Sequence, residues 1–484
     1  MADINLGVGG ANSAVAGGYD IENSLKLESD NSEYLKANNT FAYTTPTSRY
    51  TGTVSFWIKR TEIGNNVSGK TMYIFASSDS SRYTNLGFDE FDNLTMYSGD
   101  SSWNNVGPYT SNKFRDTAAW YHIVIRYDTT DSTASNRLRV YCNGTEVSWV
   151  VAPNITQNGV MTISGMNGPC WHSWGTIYSY YTPSNFFNGY LAEAHFVDGQ
   201  SLAPTEFGEY DSASGIWKPK EYDGTYGNCG YYLDFEDSAN LGNDESGNAF
   251  DFDENNITSA DQATDTPTNN FCTMAGLWEY SVGNRVGVDG GTTTAATNSG
   301  YAWQGGKGTM GVTNGKWYFE FTIEGGATGF HTSFFVGWQT ESTDASGSAH
   351  NTIGTIAYYG EGGGYIWVKD NTSGRTLSVT GSTTYGDIYG VALDLDSNPQ
   401  TVIFYRNGSA ITSNITLGSG LANETLFPFE STYYPQEISR WNFGGYTAMS
   451  IASGNTDENG YGNFEYAPPS GYYALCTKNL AEYG

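Results

Sequence analysis

One short segment of this 484-residue chain has the spacing of a catalytic carboxylate pair. Glu28 and Glu33 lie in the run ESDNSE, which fits the pattern E-x-D-x-x-E. Retaining glycoside hydrolases place two carboxyl groups about 5 Å apart, one as the nucleophile and one as the acid–base. The residues between the two glutamates are polar here, whereas a catalytic strand would alternate with apolar core residues. We therefore expect a polar turn at this position, with catalysis as the alternative.

The remaining candidates for metal or nucleophile chemistry are scattered. The five histidines and five cysteines contain no CxxC and no pair at zinc-ligand spacing. The odd number of cysteines favours free buried thiols over a disulfide framework. Calcium stays open, because carboxylates are its preferred ligands. Asp89 and Asp92 in GFDEFDN are the candidate ligands, with Asp244 and Glu245 as a second pair, and a solvated acidic turn is the alternative.

The densest aromatic segment is GPCWHSWGTIYSYYTPSNFF. Its rings do not alternate as they would in a strand, and the nearby glycines and proline favour irregular backbone. We expect an exposed loop whose rings stack on the C–H faces of sugars or on a neighbouring subunit, with core or interface filling as the alternative. The candidate ligand-binding residues are Trp171, Trp174, Tyr178, Tyr180 and Tyr181.

The composition favours all-β structure with many tight turns. Glycine accounts for 60 residues and tyrosine for 37, while charged residues make up only 15%. The net charge of −29, with 22 Lys plus Arg against 51 Asp plus Glu, argues against nucleic acid as a partner. No apolar run approaches the length of a membrane-spanning helix, and the first residues lack the features of a signal peptide. We expect no membrane insertion, and release by lysis or by assembly into a particle.

Period-2 alternation places the strands and indicates two similar halves. The segments GTVSFWIKR (52–60) and KWYFEFTIE (316–324) alternate apolar and polar residues, which predicts strands with one buried face. Each half also contains a strand that runs into Asn-Gly, the preferred pair for a type I′ hairpin, at Asn143 and Asn407. Two β-sandwiches in tandem explain this repetition. The predicted organisation is an N-terminal attachment arm (1–20), a sandwich (21–208), an acidic connector (209–277), a second sandwich (278–447) and a closing segment (448–484).

Both halves resemble families of known fold. The first half resembles the laminin-G/pentraxin-like concanavalin family through GTVSFWIK, WYHIV, LRVYCNG and NGYLAEAHFVD. The second half resembles SPRY domains through GKWYFEFTIE, FFVGWQ, GVALDLDSNPQTVIFYRNG and LFPF. These resemblances imply an all-β chain made of two concanavalin-like jelly-roll β-sandwiches in tandem, and the first also makes calcium a candidate ligand.

Two further segments indicate where such a chain would work. DTPTNNF and the closing YAPPSGYYALCTKNL resemble parts of marine bacteriophage structural proteins that pair these two domains. The resemblance implies a non-enzymatic virion protein, such as a tail fibre, head fibre or capsid decoration, on the particle surface. Its expected partners are other virion proteins and a host-surface glycan. Assembly into a homo-oligomer such as a trimer is a further expectation. The alternatives are a polysaccharide-degrading enzyme on the same fold and a secreted adhesin.

Overall fold

Two compact all-β units make up the computed structural model. We call them the N-terminal unit (18–268) and the C-terminal unit (269–484). The prediction of two concanavalin-like β-sandwiches in tandem is confirmed. The residues that the structure describes are 18–63, 71–78, 82–98, 107–164, 170–179, 182–274, 285–296, 303–324, 333–342, 352–360, 364–379, 383–434 and 437–484.

The N-terminal unit consists of twenty described strands and one short α-helix. The helix is α1 (Asn39–Tyr43), and short 3-10 turns lie at Ala134–Asn136, Thr162–Ser164, Pro204–Glu206 and Ser259–Asp261. The strands are β1 (Ser24–Leu27), β2 (Tyr34–Ala37), β3 (Thr51–Arg60), β4 (Met72–Ser78), β5 (Tyr83–Phe88), β6 (Asn93–Ser98), β7 (Tyr109–Lys113), β8 (Trp120–Asp128), β9 (Leu138–Cys142), β10 (Thr145–Glu146), β11 (Trp149–Val151), β12 (Trp171–Trp174), β13 (Ile177–Ser179), β14 (Thr182–Ser184), β15 (Gly189–Asp198), β16 (Gly208–Tyr210), β17 (Trp217–Pro219), β18 (Tyr231–Leu233), β19 (Phe252–Asn255) and β20 (Gln262–Ala263).

Two antiparallel sheets enclose the core of this unit. Sheet 1 has the order β10-β9-β8-β3-β15-β1-β20, with β18 added beside β15, and sheet 2 has the order β11-β7-β6-β5-β4-β12-β2-β19. The turn between β9 and β10 has positive φ at both Asn143 (48°) and Gly144 (76°), as a type I′ hairpin requires, so this prediction is confirmed. The apolar side chains that alternate along each strand meet between the two sheets.

The central strand β3 is buried on both faces, whereas its sequence predicts one buried face. On the face away from the core, the Ser55 hydroxyl is hydrogen-bonded to His122 Nε2 at 2.9 Å. Trp217 Nε1 donates to His122 Nδ1 at 2.9 Å, and Lys59 forms an ion pair with Asp265 at 2.7 Å. Residues from beyond the predicted first sandwich therefore cover this face.

The prediction of an acidic connector at 209–277 is wrong for residues 209–268. This segment supplies β18, which pairs with β15, β19, which pairs with β2, and β20, which pairs with β1. Its acidic residues close tight turns: Asp244 accepts backbone N–H groups from Tyr232, Ser246 and Phe250 at 2.8–2.9 Å. A carboxylate that accepts three backbone N–H groups belongs to a folded turn, which composition alone does not distinguish from a solvated linker.

The predicted N-terminal arm (1–20) falls largely outside the described residues, which begin at residue 18. Tyr19 does not extend away from the sandwich. Its hydroxyl donates to Glu193 Oε2 at 3.0 Å and lies 3.0 Å from the Tyr232 hydroxyl. The last residues of the predicted arm therefore pack on sheet 1.

The C-terminal unit contains fifteen described strands and a C-terminal helix, α2 (Thr477–Tyr483). The strands are β21 (Arg285–Val288), β22 (Thr293–Ala296), β23 (Gln304–Lys307), β24 (Lys316–Glu324), β25 (Phe334–Thr340), β26 (Thr355–Tyr359), β27 (Tyr365–Lys369), β28 (Arg375–Ser378), β29 (Ile388–Asp394), β30 (Thr401–Arg406), β31 (Ser409–Ala410), β32 (Ile415–Thr416), β33 (Leu426–Thr432), β34 (Ile438–Asn442) and β35 (Tyr473–Ala474).

Its two sheets repeat the sandwich arrangement. Sheet 3 has the order β21-β22-β34-β24-β29-β30-β31, and sheet 4 has the order β23-β33-β25-β26-β27-β28. The inward positions predicted for β24 are confirmed, because Trp317, Phe319, Phe321 and Ile323 all lie in the core between the sheets. Its outer face is also buried, whereas the sequence predicts one buried face. Near the C-terminus, β35 pairs with β24 in parallel, whereas the other described strand pairs are antiparallel.

Candidate functional site

The outer face of sheet 2 carries a row of polar and aromatic side chains in register. Lys36, Ser173, Ala76, Asn85 and Tyr97 are direct neighbours across β2, β12, β4, β5 and β6. At least one chain neighbour of each of these residues lies in the core, so by strand alternation this row faces away from it. Five strands together span about 19 Å at 4.8 Å per strand. The two ends of this row, Lys36 and Tyr97, retain exposure, whereas Ser173, Ala76 and Asn85 between them are buried.

On the same face, a cluster that we call the tyrosine–asparagine cluster consists of Asn85 and Tyr97 from this row together with Tyr73 and Tyr83. Asn85 and Tyr97 are direct cross-strand neighbours, and Tyr83 lies two residues from Asn85 on the same face. Burial raises the pKa of Tyr73, and the nearby Tyr97 and Tyr83 phenols add to that rise. Tyr97 thus lies directly opposite Asn85, and Tyr83 and Gly87, the cross-strand partner of Tyr73, lie two residues from Asn85 along β5.

The amide of Asn85 distinguishes this cluster from an ordinary sheet surface. The residue is 1% exposed, and its Oδ1 accepts no hydrogen bond from the part of the chain that the structure describes. A buried amide oxygen without a donor costs free energy, and such a group in a native structure needs an explanation. Beside it, the Tyr97 ring is 47% exposed and Tyr83 is partly exposed. The cluster thus combines accessible rings with an unused acceptor.

The prediction of an exposed irregular loop is wrong at Trp171 and Trp174. Both residues belong to β12, which pairs with β2 and β4 in the middle of sheet 2, and both are buried. Trp174 lies in the core, where its Nε1 donates to the Tyr231 hydroxyl at 3.2 Å. Trp171 lies on the outer face, with the Lys36 ammonium 5.8 Å from its ring centroid. Alternation was hidden because Trp171 and His172 exchange the expected roles: the apolar ring lies on the outer face and the histidine points inward.

At the other three predicted ligand-binding residues, Tyr178, Tyr180 and Tyr181, the structure does not test the prediction of an exposed loop. Tyr180 and Tyr181 lie outside the described residues, and only the backbone of Tyr178, in β13, is described. The sequence does contain a pattern that indicates the tyrosine–asparagine cluster. The strand sequences YTNLGF and NLTMYS alternate in period 2, which would have placed Tyr83, Asn85 and Tyr97 on one face.

The predicted calcium ligands Asp89 and Asp92 are arranged for other contacts. Asp92 is buried, with Oδ1 3.1 Å from Arg60 Nη2 and Oδ2 2.9 Å from Arg115 Nε. Asp89 Oδ1 accepts the backbone N–H groups of Phe91 and Asn93 at 2.9 Å. Two guanidinium groups already balance the Asp92 charge, so a calcium ion does not fit here. Within the described part of the chain, no three His, Cys, Asp or Glu side chains are grouped so that they could hold a metal.

The Glu28–Glu33 segment forms the predicted polar turn between β1 and β2. Glu33 pairs with the Lys26 ammonium at 3.0 Å, and Lys26 also pairs with Asp261 at 2.7 Å. Glu33 also accepts the backbone N–H of Glu28 at 2.8 Å. Burial raises the pKa of Glu33, while Lys26 opposes that rise. This carboxylate is engaged in a buried ionic cluster that joins the turn to the 3-10 turn at 259–261.

The buried histidines His122 and His172 pack against aromatic side chains. Burial lowers the pKa of both His122 and His172 to about 3, so both rings are neutral. His122 stacks on Trp57 with 4.7 Å between ring centroids. His172 lies between the sheets, 4.6 Å from the ring of Phe41. These neutral rings contribute to packing, His172 between the sheets and His122 on the covered outer face of sheet 1.

Comparisons with known families agree with this two-unit fold. Residues 29–206 match the family model described as the concanavalin A-like lectin/glucanases superfamily, and residues 316–446 match the SPRY domain. The chain therefore contains a laminin-G-like, concanavalin-like domain followed by a SPRY domain. No curated protein matches the chain. None of the described helices has the length and apolar composition needed to cross a bilayer.

Among solved structures, three similar chains come from different sources. A SAP-like pentraxin from Limulus polyphemus is 18% identical, with 38% of this chain and 80% of that chain covered and a TM-score of 0.28. The SPRY domain of human HERC1 is 19% identical, with 37% and 99% covered and a TM-score of 0.27. A putative carbohydrate binding protein from Bacteroides ovatus is 15% identical, with 49% and 59% covered and a TM-score of 0.32.

Proposed function

We propose that this chain is a non-enzymatic glycan-binding protein whose N-terminal unit binds sugar on the outer face of sheet 2. The observation that carries the proposal is the buried Asn85 amide, which lies opposite Tyr97 and whose oxygen accepts no hydrogen bond from the described residues. The lectin-related family match of this unit supports the same chemistry.

The tyrosine–asparagine cluster suits a sugar ring on two counts. A sugar ring has a C–H face that packs against an aromatic ring, and Tyr97 and Tyr83 offer such rings at the surface. It also has hydroxyl groups, and once the Tyr83 and Tyr97 rings move apart to admit the sugar, a hydroxyl would supply the donor that the buried Asn85 Oδ1 lacks. Along the same row, Lys36 offers a further hydrogen-bond donor. The polar groups fix the orientation and the rings supply most of the contact area.

We further propose that the protein is a surface component of a bacteriophage particle, where it contacts other virion proteins and a host-surface glycan. Support comes from the resemblance of its DTPTNNF and C-terminal segments to phage structural proteins. Many copies on one particle would turn weak individual binding into firm attachment, and assembly into a homo-oligomer such as a trimer would add to this effect. A net charge of −29 would limit non-specific adhesion to anionic cell envelopes.

The binding proposal is tested by removing the exposed rings. Tyr83→Ala with Tyr97→Ala should weaken binding to host cells or host polysaccharide by tens-fold, since one interface aromatic contributes about 2 kcal/mol. Phe91→Ala is the matched control, because Phe91 is 52% exposed but lies in the turn between β5 and β6. Unchanged binding by the folded double variant would remove the proposed site.

Two further measurements address catalysis and location. Incubation of the wild-type chain with the bound polysaccharide should release no new reducing ends and no unsaturated products. Such products would favour the polysaccharide-degrading alternative. Mass spectrometry of purified particles should detect the chain in stoichiometric amounts, and its absence from the particles would contradict the virion assignment.

A further inference from the structure

We propose that the C-terminal unit carries a second glycan-binding face, formed by β27 and β28, whose ligand is a neutral, hydroxyl-rich glycan. This face is separate in the chain from the tyrosine–asparagine cluster. The inference rests on the proposed function for its ligand class and on the geometry of sheet 4 for its position.

Strand β27 places two rings on the outer face of sheet 4. Ile366 and Val368 point into the core, so Tyr365 and Trp367 point away from it. In the adjacent strand β28, Ser378 lies directly opposite Tyr365, and Thr376 lies directly opposite Trp367. Both rings are partly exposed and both hydroxyl residues are exposed. Directly opposed side chains have Cβ atoms about 5 Å apart, so each ring has a hydroxyl group within reach of the same sugar.

The rings are held in place from below and from the side. Tyr365 packs edge-on against Tyr359 with 4.9 Å between centroids, and Tyr359 stacks on Phe335 at 4.3 Å. Trp367 lies over Gly374, where an added Cβ would come within 3.4 Å of the indole. Gly374 has φ +64°, so a side chain at this position would also be strained. A ring platform that is already ordered binds a ligand with a smaller entropic cost, because its side chains need no further ordering.

The charges around this platform favour a neutral ligand. Lys369 directs its ammonium to the Thr372 carbonyl at 2.8 Å, and Arg375 pairs with Asp370. These nearby cations are therefore engaged in local contacts. The chain as a whole carries −29, which repels acidic polysaccharides. The Thr376 and Ser378 hydroxyls both donate and accept, which matches the hydroxyl groups of an uncharged sugar.

The test uses the full chain with 5-fluorotryptophan in place of its tryptophans, observed by ¹⁹F NMR. Trp367→Phe identifies the Trp367 signal by its loss. The probes are the neutral polysaccharides laminarin, mannan and dextran, with anionic alginate for comparison. We expect at least one neutral probe to shift the Trp367 signal, both in the wild type and in the Tyr83→Ala/Tyr97→Ala variant, and alginate to leave it in place.

Affinity measurements complete the test. In the chain that lacks Tyr83 and Tyr97, Trp367→Ala should lower the affinity for that probe by about tenfold, while Trp367→Phe retains most of it. Tyr405→Ala, at a partly exposed tyrosine of sheet 3, is the matched control and should leave the affinity for that probe unchanged.

Each remaining outcome overturns a stated part of this scheme. A Trp367 signal that stays in place while the wild type binds a neutral probe removes the second face and leaves the first. A shifted signal with unimpaired binding by the Tyr83→Ala/Tyr97→Ala variant removes the first face and leaves the second. A response to alginate alone contradicts the neutral ligand class, and no binding to any probe contradicts both faces.

Discussion

The carboxylate of Glu320 accepts the backbone N–H of Tyr466 at 2.8 Å, which joins the middle of β24 to a segment 146 residues later in the chain. The same carboxylate accepts the backbone N–H of Glu465 at 2.9 Å, the Tyr318 hydroxyl at 3.1 Å and Asn442 Nδ2 at 3.2 Å. Glu320 is fully buried, and this burial raises its pKa to about 7 despite the four donors.

The raised pKa of Glu320 predicts a pH-dependent stability. Because the folded pKa lies above the ordinary value of 4.5, this group stabilises the fold below pH 4.5, and the stabilisation is lost as the pH rises through 7. The free energy of unfolding of the wild type, relative to Glu320→Gln, should fall by about 3 kcal/mol between pH 4 and pH 8 in urea titrations. Glu324→Gln, at a partly exposed residue of the same strand, should keep the wild-type profile. A relative stability that rises with pH would show that the donors outweigh the burial.

The ion pair between Arg60 and Asp92 predicts a large cost for removing the carboxylate. Burial lowers the pKa of Arg60, and Asp92 is the opposite charge that keeps it ionised. Asp92→Asn should lower the free energy of unfolding by about 3–5 kcal/mol, because it leaves a buried guanidinium uncompensated. Arg115→Ala should cost less than about 1 kcal/mol, since that side chain is 55% exposed. Calcium chloride should not raise the melting temperature relative to EDTA. A calcium-dependent rise that Asp92→Asn abolishes would restore the metal hypothesis.

Trp174 should contribute to stability and not to sugar binding. Its ring packs against Phe75 at 4.8 Å and Phe56 at 5.3 Å, with no exposed surface. Trp174→Ala should lower the free energy of unfolding by about 3–5 kcal/mol, and Trp174→Phe by less. The folded variant should bind glycan with wild-type affinity in calorimetric titrations. Loss of binding with unchanged stability would instead support the ligand role that the sequence suggested.

Chain truncation tests the corrected boundary of the N-terminal unit. A chain that ends at residue 208 lacks β18, β19 and β20, which pair with three strands of the sandwich. It also lacks Asp265, the partner of buried Lys59. We expect this chain to aggregate and a chain that ends at residue 268 to show cooperative unfolding by circular dichroism. Cooperative unfolding of the shorter chain would support the predicted connector.

The strands and their inward faces could be predicted from the sequence because side chains in a strand alternate. Phe319 and Phe321 in β24, and Ile123 and Ile125 in β8, lie in the cores as period 2 predicts. The Asn407–Gly408 turn has positive φ at both residues (48° and 75°), because these residue types tolerate that backbone and few others do. These features depend on neighbours within a few residues, so local sequence determines them.

Only the tertiary structure decided which outer faces are covered and which are open. Ser55 and Glu320 lie on outer faces that distant segments bury, whereas Tyr97 and Trp367 lie on outer faces that retain exposure. A polar residue that alternates with core residues gives the same sequence pattern whether its face is covered or open. On an open face it bonds to water, and on a covered face it bonds to a polar group from elsewhere in the chain. The partner that buries Glu320 is 146 residues away, and Trp217, which stacks on the His122 that is bonded to Ser55, is 95 residues from that histidine. Contacts over such distances arise only when the chain has folded, so the candidate site could be recognised only there.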